Sequence, residues 1–377
     1  MHSVEHVYLM YGSVLQGYGL SPEAAGWILG VYFLSGMLAR PFGGWMLENF
    51  GIRRMLLWSG AASFAGTFIL LPARAPILLF IGRALSGASF GLYTTGLFSH
   101  QAMCVSEKAR GTMLALLAAG GMLPMATAAP LGEWFLLSSR EYLYLSIGPV
   151  LSAVCWVLGG RVRSPGSARG AAGKKEWGSY RGLLASRTFL AIVLNGTLIA
   201  LVDAIVVSMS VLAGENGLAA SYFLASGSVA AVIVRVAGSR VLNSLPRVVL
   251  LAPCGIMMAA AMIAVSFFPA RHTFIICGIV YGTGIGAGWP MFHALLSDTL
   301  EPALRPKGTA AALLLYDLGF FLTPLLVGYL SPMLGTAWTF TAISAAAGAV
   351  MTLLEIFYWI PLRRRRKNAA NPPAQRV

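Results

Sequence analysis

Charge is what this chain has least of. Of 377 residues only 11% are charged, and Asp and Glu together number 13. A soluble domain carries about 25% charged and about 45–50% apolar residues. Here 57% are hydrophobic, and the mean hydropathy is +0.74. One buried core under a polar skin cannot have that balance, so a soluble globular protein is excluded, and so is a disordered chain. Cysteine is scarce: Cys104, Cys155, Cys254 and Cys277 form no CxxC pair and no metal-ligand spacing. That excludes a disulfide scaffold, and the four read as small core residues. No GxxxxGK[ST] phosphate loop occurs, so ATP is not the expected energy source. Alternating ten-residue strand patterns are missing too, which leaves helices rather than a barrel to cross a membrane.

Long apolar runs are what the chain has in quantity. A membrane helix needs about 20 mostly apolar residues. Such runs lie near 23–47, 55–73, 76–100, 111–136, 142–160, 188–212, 219–242, 248–269, 273–297, 309–331 and 337–360. Residues 1–17 are apolar as well but cover only roughly 25 Å at helical rise. With Glu5 early and no basic lead, this stretch is no signal peptide. It is expected to be a first span clipped at its start, followed by eleven full ones.

Lys and Arg number 27, giving a net charge of +14. Three arginines lie inside spans: Arg40, Arg83 and Arg235. One set of loops holds only Arg74, Arg140 and Arg271, and the alternate set and the tail hold all the others. The excess of basic residues places the central loop and the C-terminus in the cytoplasm, and no nucleic-acid partner is expected. Residues 161–187 are rich in Gly, Ser, Lys and Arg and read as a flexible linker. The expected units are a bundle over 1–160, the linker 161–187, a second bundle over 188–360, and a basic tail over 361–377 that touches anionic lipid.

The halves echo each other at an offset near 195. Arg40 and Gly43 correspond to Arg235 and Gly238. Arg83, Gly87 and Gly91 correspond to Gly278, Gly282 and Gly286. Two six-helix halves as parallel repeats form a transporter architecture, with the binding site near mid-membrane between them. The glycines recur at small-xxx-small spacings that let helices approach closely.

The segment RPFGGWMLENFGIRR, residues 40–54, resembles the loop signature between the second and third helices of the major facilitator superfamily. Gly44, Glu48, Gly51, Arg53 and Arg54 match, with Glu48 where Asp is usual and Asn49 where a basic residue is usual. RALSG (83–87) is similar to the family's intramembrane Arg motif. GGMLPMATAAPLGEW (120–134) resembles its antiporter motif, with Ala129-Pro130 for Gly-Pro and Glu133 for a glycine. The resemblance implies an all-α polytopic membrane protein with two pseudo-symmetric six-helix bundles, moving its substrate by alternating access. It also implies that Glu48 latches onto the start of the eleventh helix, a contact of about 0.3–1 kcal/mol.

A charge at mid-membrane costs at least about 2.5–3.5 kcal/mol, so those present are informative. Asp203 lies mid-span on a stripe with Gly196 and Ser210, and could carry a proton. Arg83 shares a stripe with Gly87 and Thr94, and is a candidate for substrate or carboxylate pairing. Asp317 is a candidate for the pathway or for an inner gate. Glu133, near the outer end of its span, reads as a gate contact or a snorkelling acid. Glu5 and His6 are candidate substrate or proton ligands. Arg40 and Arg235 read as snorkelling to the inner face. His100 and His293 occupy repeat-equivalent places and read as packing donors.

Several apparent motifs carry no chemistry in this setting. GASFG (87–91) spells GxSxG but lies inside a span rather than on a strand–turn–helix elbow. GTGIGA (282–287) has no preceding strand. HSVEH (2–6) resembles a reversed zinc-protease string, but no supporting helical turn is expected so near the start. The sequon at Asn195 is buried in a span. The expectation is therefore a monomeric secondary transporter of the plasma (inner) membrane, not an enzyme, with no cofactor and no metal. It is expected to move a small organic molecule, with proton-coupled export first, and a proton-coupled importer or a non-transporting receptor as alternatives.

Overall fold

The computed structural model describes residues 1–104, 110–162, 180–238, 247–301 and 304–364. The described residues contain helices and connecting turns and no strand. The chain opens with α1, which runs as His2–Val7, a 3-10 turn Tyr8–Met10, and Tyr11–Gly17. One long helical segment, Pro22–Ile69, follows. Gly51 divides it into α2 (22–50) and α3 (52–69), because its φ of 75° and ψ of 163° are non-helical. That backbone state is open to glycine and strained for other residues, so Gly51 of the expected signature is a hinge between two arms.

Then come α4 (Pro76–Cys104), α5 (Arg110–Leu137) and α6 (Glu141–Arg161). A short helix, Tyr180–Ala185, leads to α7, which runs as Arg187–Asp203, a 3-10 turn Ala204–Ser208, and Met209–Glu215. The remainder is α8 (Ser221–Val236), α9 (Arg247–Phe267), α10 (Arg271–Thr299), α11 (Arg305–Leu334) and α12 (Thr336–Leu354, then a π turn Glu355–Trp359). Among the described residues, seven helices are long and apolar enough to cross a membrane, and Ser221–Val236 is a shorter apolar one. Most of the linker 161–187 and of the tail 361–377 lies outside the described residues, as do the side chains of Glu48 and His100.

The helix ends follow local chemistry. Ser21 caps α2 by accepting from the backbone N–H of Ala24 at 3.3 Å, with Pro22 in the first turn, where its missing N–H costs nothing. Gly335, at φ 82°, turns the chain from α11 into α12.

The 195-residue echo reappears as contacts. A Cβ on Gly87 would strike the carbonyl of Tyr32, and one on Gly282 would strike the carbonyl of Gly227. A Cβ on Gly91 would strike the carbonyl of Gly36, and one on Gly286 would lie 3.1 Å from that of Ala231. All four positions shift by 195, so α2 meets α4 as α8 meets α10. Small residues let these backbones touch without a hydrophobic drive between helices. Gly87→Ala and Gly282→Ala are each expected to cost about 1–3 kcal/mol through overpacking. The check is a lowered thermal midpoint of the purified protein, with Gly120→Ala, whose Cβ meets nothing within 4 Å, unchanged.

The two halves meet along α2 and α11. The Gly26 Cβ position is 2.6 Å from the Pro324 carbonyl, and the Gly328 position is 2.6 Å from that of Pro22. Trp27 Nε1 donates to Tyr329 Oη at 3.1 Å. Between α5 and α8, Ser228 Oγ donates to the Met122 carbonyl at 2.6 Å. Between α1 and α7, Gly12 lies against Val211 and Ser210.

Candidate functional site

Among the described residues, Arg83 and Asp203 are buried charges ringed by tyrosines, one in each half. Arg83 of α4 is 3% exposed. Its guanidinium carbon is 4.3 Å from the ring centre of Tyr32, 5.3 Å from Tyr8 and 5.9 Å from Tyr11. These faces stabilise the cation by about 0.5–2 kcal/mol each. They cannot accept its in-plane hydrogen bonds. Nε and Nη1 of Arg83, with the hydroxyls of Tyr8 and Tyr11, are shut from solvent and have no hydrogen-bond partner. An orphaned buried polar group costs about 1–3 kcal/mol, more when charged. The unpartnered guanidinium edge has the chemistry to take an anion with two oxygens, since it binds a carboxylate as a fork.

Glu5 and His6 of α1 stand beside this centre. His2 Nδ1 and Glu5 Oε2 are 3.2 Å apart, and Arg83 acts electrostatically on Glu5. His2 packs edge-on against Phe90 of α4, and Tyr32 packs against the same ring. The expectation that no helical turn supports His2–His6 is corrected, because the helix begins at His2.

The second centre is Asp203 of α7, 8% exposed. Its carboxylate accepts from the hydroxyl of Tyr281 on α10 and, at 3.2 Å, from that of Tyr316 on α11. Both donors suit an ionised acid, and α7 tightens into its 3-10 turn immediately after Asp203. Thr323 of α11 donates to the Leu201 carbonyl at 2.9 Å, next to that turn. In α1 the 3-10 turn Tyr8–Met10 lies beside Arg83, and Tyr144 donates to the Val7 carbonyl at 3.0 Å. The first helix of each half therefore narrows at the level of its charged centre, which is where hinges are often found.

Arg235, read from sequence as snorkelling, is instead 5% exposed. It reaches the carbonyls of Ile285 and Gly286 at 3.4 Å, with its guanidinium carbon 5.7 Å from the ring centre of Trp289. Pro290 explains this: it has no N–H to give the Gly286 carbonyl four residues back, and Arg235 supplies a donor there. Arg40 also does not simply snorkel. Its Nε and Nη2 lie 2.5 Å and 3.3 Å from Oδ2 and Oδ1 of Asp317, a forked pair joining α2 to α11 across the two halves.

Glu133 lies away from both centres. It is 8% exposed, and its two oxygens accept from the backbone N–H groups of Ala220 and Ser221, at 2.5 Å and 2.9 Å. These are free donors at the start of α8, so a helix of one half is capped by an acid of the other. Arg53 and Arg54 are exposed, and Gly44 and the side chain of Glu48 fall outside the described residues. Sequence reasoning missed Tyr8, Tyr11, Tyr32, Tyr281 and Tyr316, which supply most of the partners of the two centres.

The Major Facilitator Superfamily model matches residues 6–273 and 246–377. The chain is 24% identical to the 3-(3-hydroxy-phenyl)propionate transporter of Escherichia coli (strain K12) over 383 residues, covering 96% of this chain and 90% of that protein. Its fold is similar to that of a bacterial homologue of the human lysosomal transporter Spinster, solved inward-facing and unoccupied. That likeness has a TM-score of 0.71 at 14% identity and covers 96% of this chain and 95% of the other. With the family model matching nearly its whole length, the chain belongs to the Major Facilitator Superfamily, as a multi-pass membrane transporter and not an enzyme.

Proposed function

We propose that this protein is a proton-coupled carrier of small organic acids, moving them by alternating access between the bundles over 1–160 and 188–360. The observation that carries this is the orphaned edge of Arg83, close to the rings of Tyr8 and Tyr11, whose hydroxyls are also without partners. A carboxylate on that edge would meet donors already in place, and an aromatic substituent would meet the Tyr8 and Tyr32 rings. The similarity to a carrier named for a phenylpropionate supports an aromatic acid.

Charge balance supports movement of acid and proton in the same direction. In the interior, Glu5, Asp203 and Asp317 balance Arg83, Arg235 and Arg40. The empty carrier is therefore neutral there, with Glu133 held separately at its helix cap. Adding an anion at Arg83 and a proton at Asp203 keeps it neutral. Adding either alone leaves a net charge, at a cost of at least about 2.5–3.5 kcal/mol in the membrane. Half-loaded forms are disfavoured, and that is coupling. The expectation of export rests on the pattern at 120–134, yet Glu133, its departure from that pattern, is engaged in a cap.

Glu133 of α5, capping α8, is assigned as the outer latch, and Glu48 with Gly44, Gly51, Arg53 and Arg54 as the inner one. The cytoplasmic C-terminus, the inner-membrane location and the monomeric state belong to the same proposal. Glu133→Gln keeps an acceptor but loses the charge, so it is expected to weaken the latch by about 0.3–2 kcal/mol. The check is reactivity of a cysteine placed at Val211, which packs against Gly12 between the halves, with an impermeant thiol reagent; it is expected to rise two- to thirty-fold in the variant.

The proposal is tested in proteoliposomes with a pH gradient, acid outside. Labelled 3-phenylpropionate is expected to accumulate inside and its neutral amide is not. Equal entry of acid and amide, or proton release driven by a lipophilic cation, would overturn it.

A further inference from the structure

We infer that His2, Glu5 and His6 form a binding site for a borderline divalent metal ion of the Zn2+ class. One ligand atom from each of the three side chains lies within 4.8 Å of the others. The helix beginning at His2 explains the convergence, since residues at i, i+3 and i+4 share one face. Donors at about 2.0–2.2 Å from a tetrahedral metal stand about 3.4 Å apart; His2 and Glu5 are already at 3.2 Å, and a side-chain rotation of His6 would close the rest.

The outer hydrogen bonds fit as well. His6 Nδ1 lies 2.7 Å from the His2 carbonyl and is the donor there, which fixes the tautomer and leaves Nε2 as the free lone pair. Such a second bond to backbone is how metal-bound imidazoles are oriented. His2 Nδ1 and Glu5 Oε2, now 3.2 Å apart, would take the ion between them. Two imidazoles and a carboxylate are the donor set of an open zinc site, with a fourth position free for water or an anion. The wall behind the site leads to the other centre: His2 rests on Phe90, Phe90 on Tyr32, and Tyr32 on Arg83. Bound metal would place a second positive charge near Arg83, so the two are antagonistic.

The experiment measures Zn2+ binding to the purified full chain in detergent by titration calorimetry. One ion per chain is expected, at least tenfold weaker in His6→Gln and in Glu5→Gln, and tighter in Arg83→Gln, where the opposing charge is gone. Carbethoxylation of the unaltered chain, read by peptide mass, gives a second measurement that does not depend on a variant folding. Zn2+ is expected to protect His2 and His6 while leaving His272 reactive. No saturable binding, binding unchanged in both ligand variants, or equal modification of all three histidines with and without Zn2+ would overturn the assignment.

Discussion

Arg83→Gln is expected to abolish organic-acid transport while leaving the fold intact. Glutamine keeps hydrogen-bonding capacity but loses the charge and the fork. Removing one partner of a buried charge pair costs about 2–5 kcal/mol, so half-saturation for the acid should weaken by roughly thirty- to several-thousand-fold. Counterflow in proteoliposomes measures this without a proton gradient, so the loss belongs to substrate binding and not to coupling. Arg83→Lys should recover only part of the affinity, because a point charge cannot present two parallel donors. Tyr8→Phe and Tyr11→Phe remove one orphaned hydroxyl each and should give smaller losses. Full counterflow in Arg83→Gln would remove the carboxylate site from the account.

Asp203→Asn is expected to separate exchange from accumulation. The asparagine is a neutral stand-in for the protonated acid: its carbonyl oxygen still accepts from one of Tyr281 and Tyr316, and its amide N–H donates to the other hydroxyl. Exchange of internal for external acid should continue near the parental rate. Accumulation driven by a pH gradient should fall to the equilibrium level, because no proton travels with the substrate. Loss of both activities would make Asp203 a structural partner of the tyrosines. Retention of both would place the proton elsewhere, with Glu5 next to be tested.

The sequence shows the apolar runs plainly, because a lipid-spanning helix needs length and hydrophobicity and little else. The 195-residue spacing of glycines is also legible, since close backbone approach tolerates no Cβ at Gly87 or Gly282. What the sequence does not show is who faces whom. Helical period assigns Arg40 to a face but not to Asp317, which is 277 residues away. The tyrosines look scattered because Tyr8, Tyr11, Tyr32 and Tyr144 come from three separate helical regions and meet only once these pack. Arg235 was legible in principle: Pro290 leaves a carbonyl without its donor, and a buried arginine on a neighbouring helix is a natural replacement. Glu133 could be placed near a helix end, but its cap depends on α8 of the other half. His2–Glu5–His6 was dismissed on the ground that no helix would start so early, and the helix does.

In the proposed cycle an organic anion and a proton cross together. The direct measurement uses right-side-out vesicles in weak buffer, with a pH electrode in the medium and labelled 3-phenylpropionate added outside. The medium is expected to turn alkaline as the acid enters, one proton per acid molecule, and Asp203→Asn to show exchange with no pH change. Acidification of the medium during transport, or uptake with no proton movement in the unaltered protein, would contradict it.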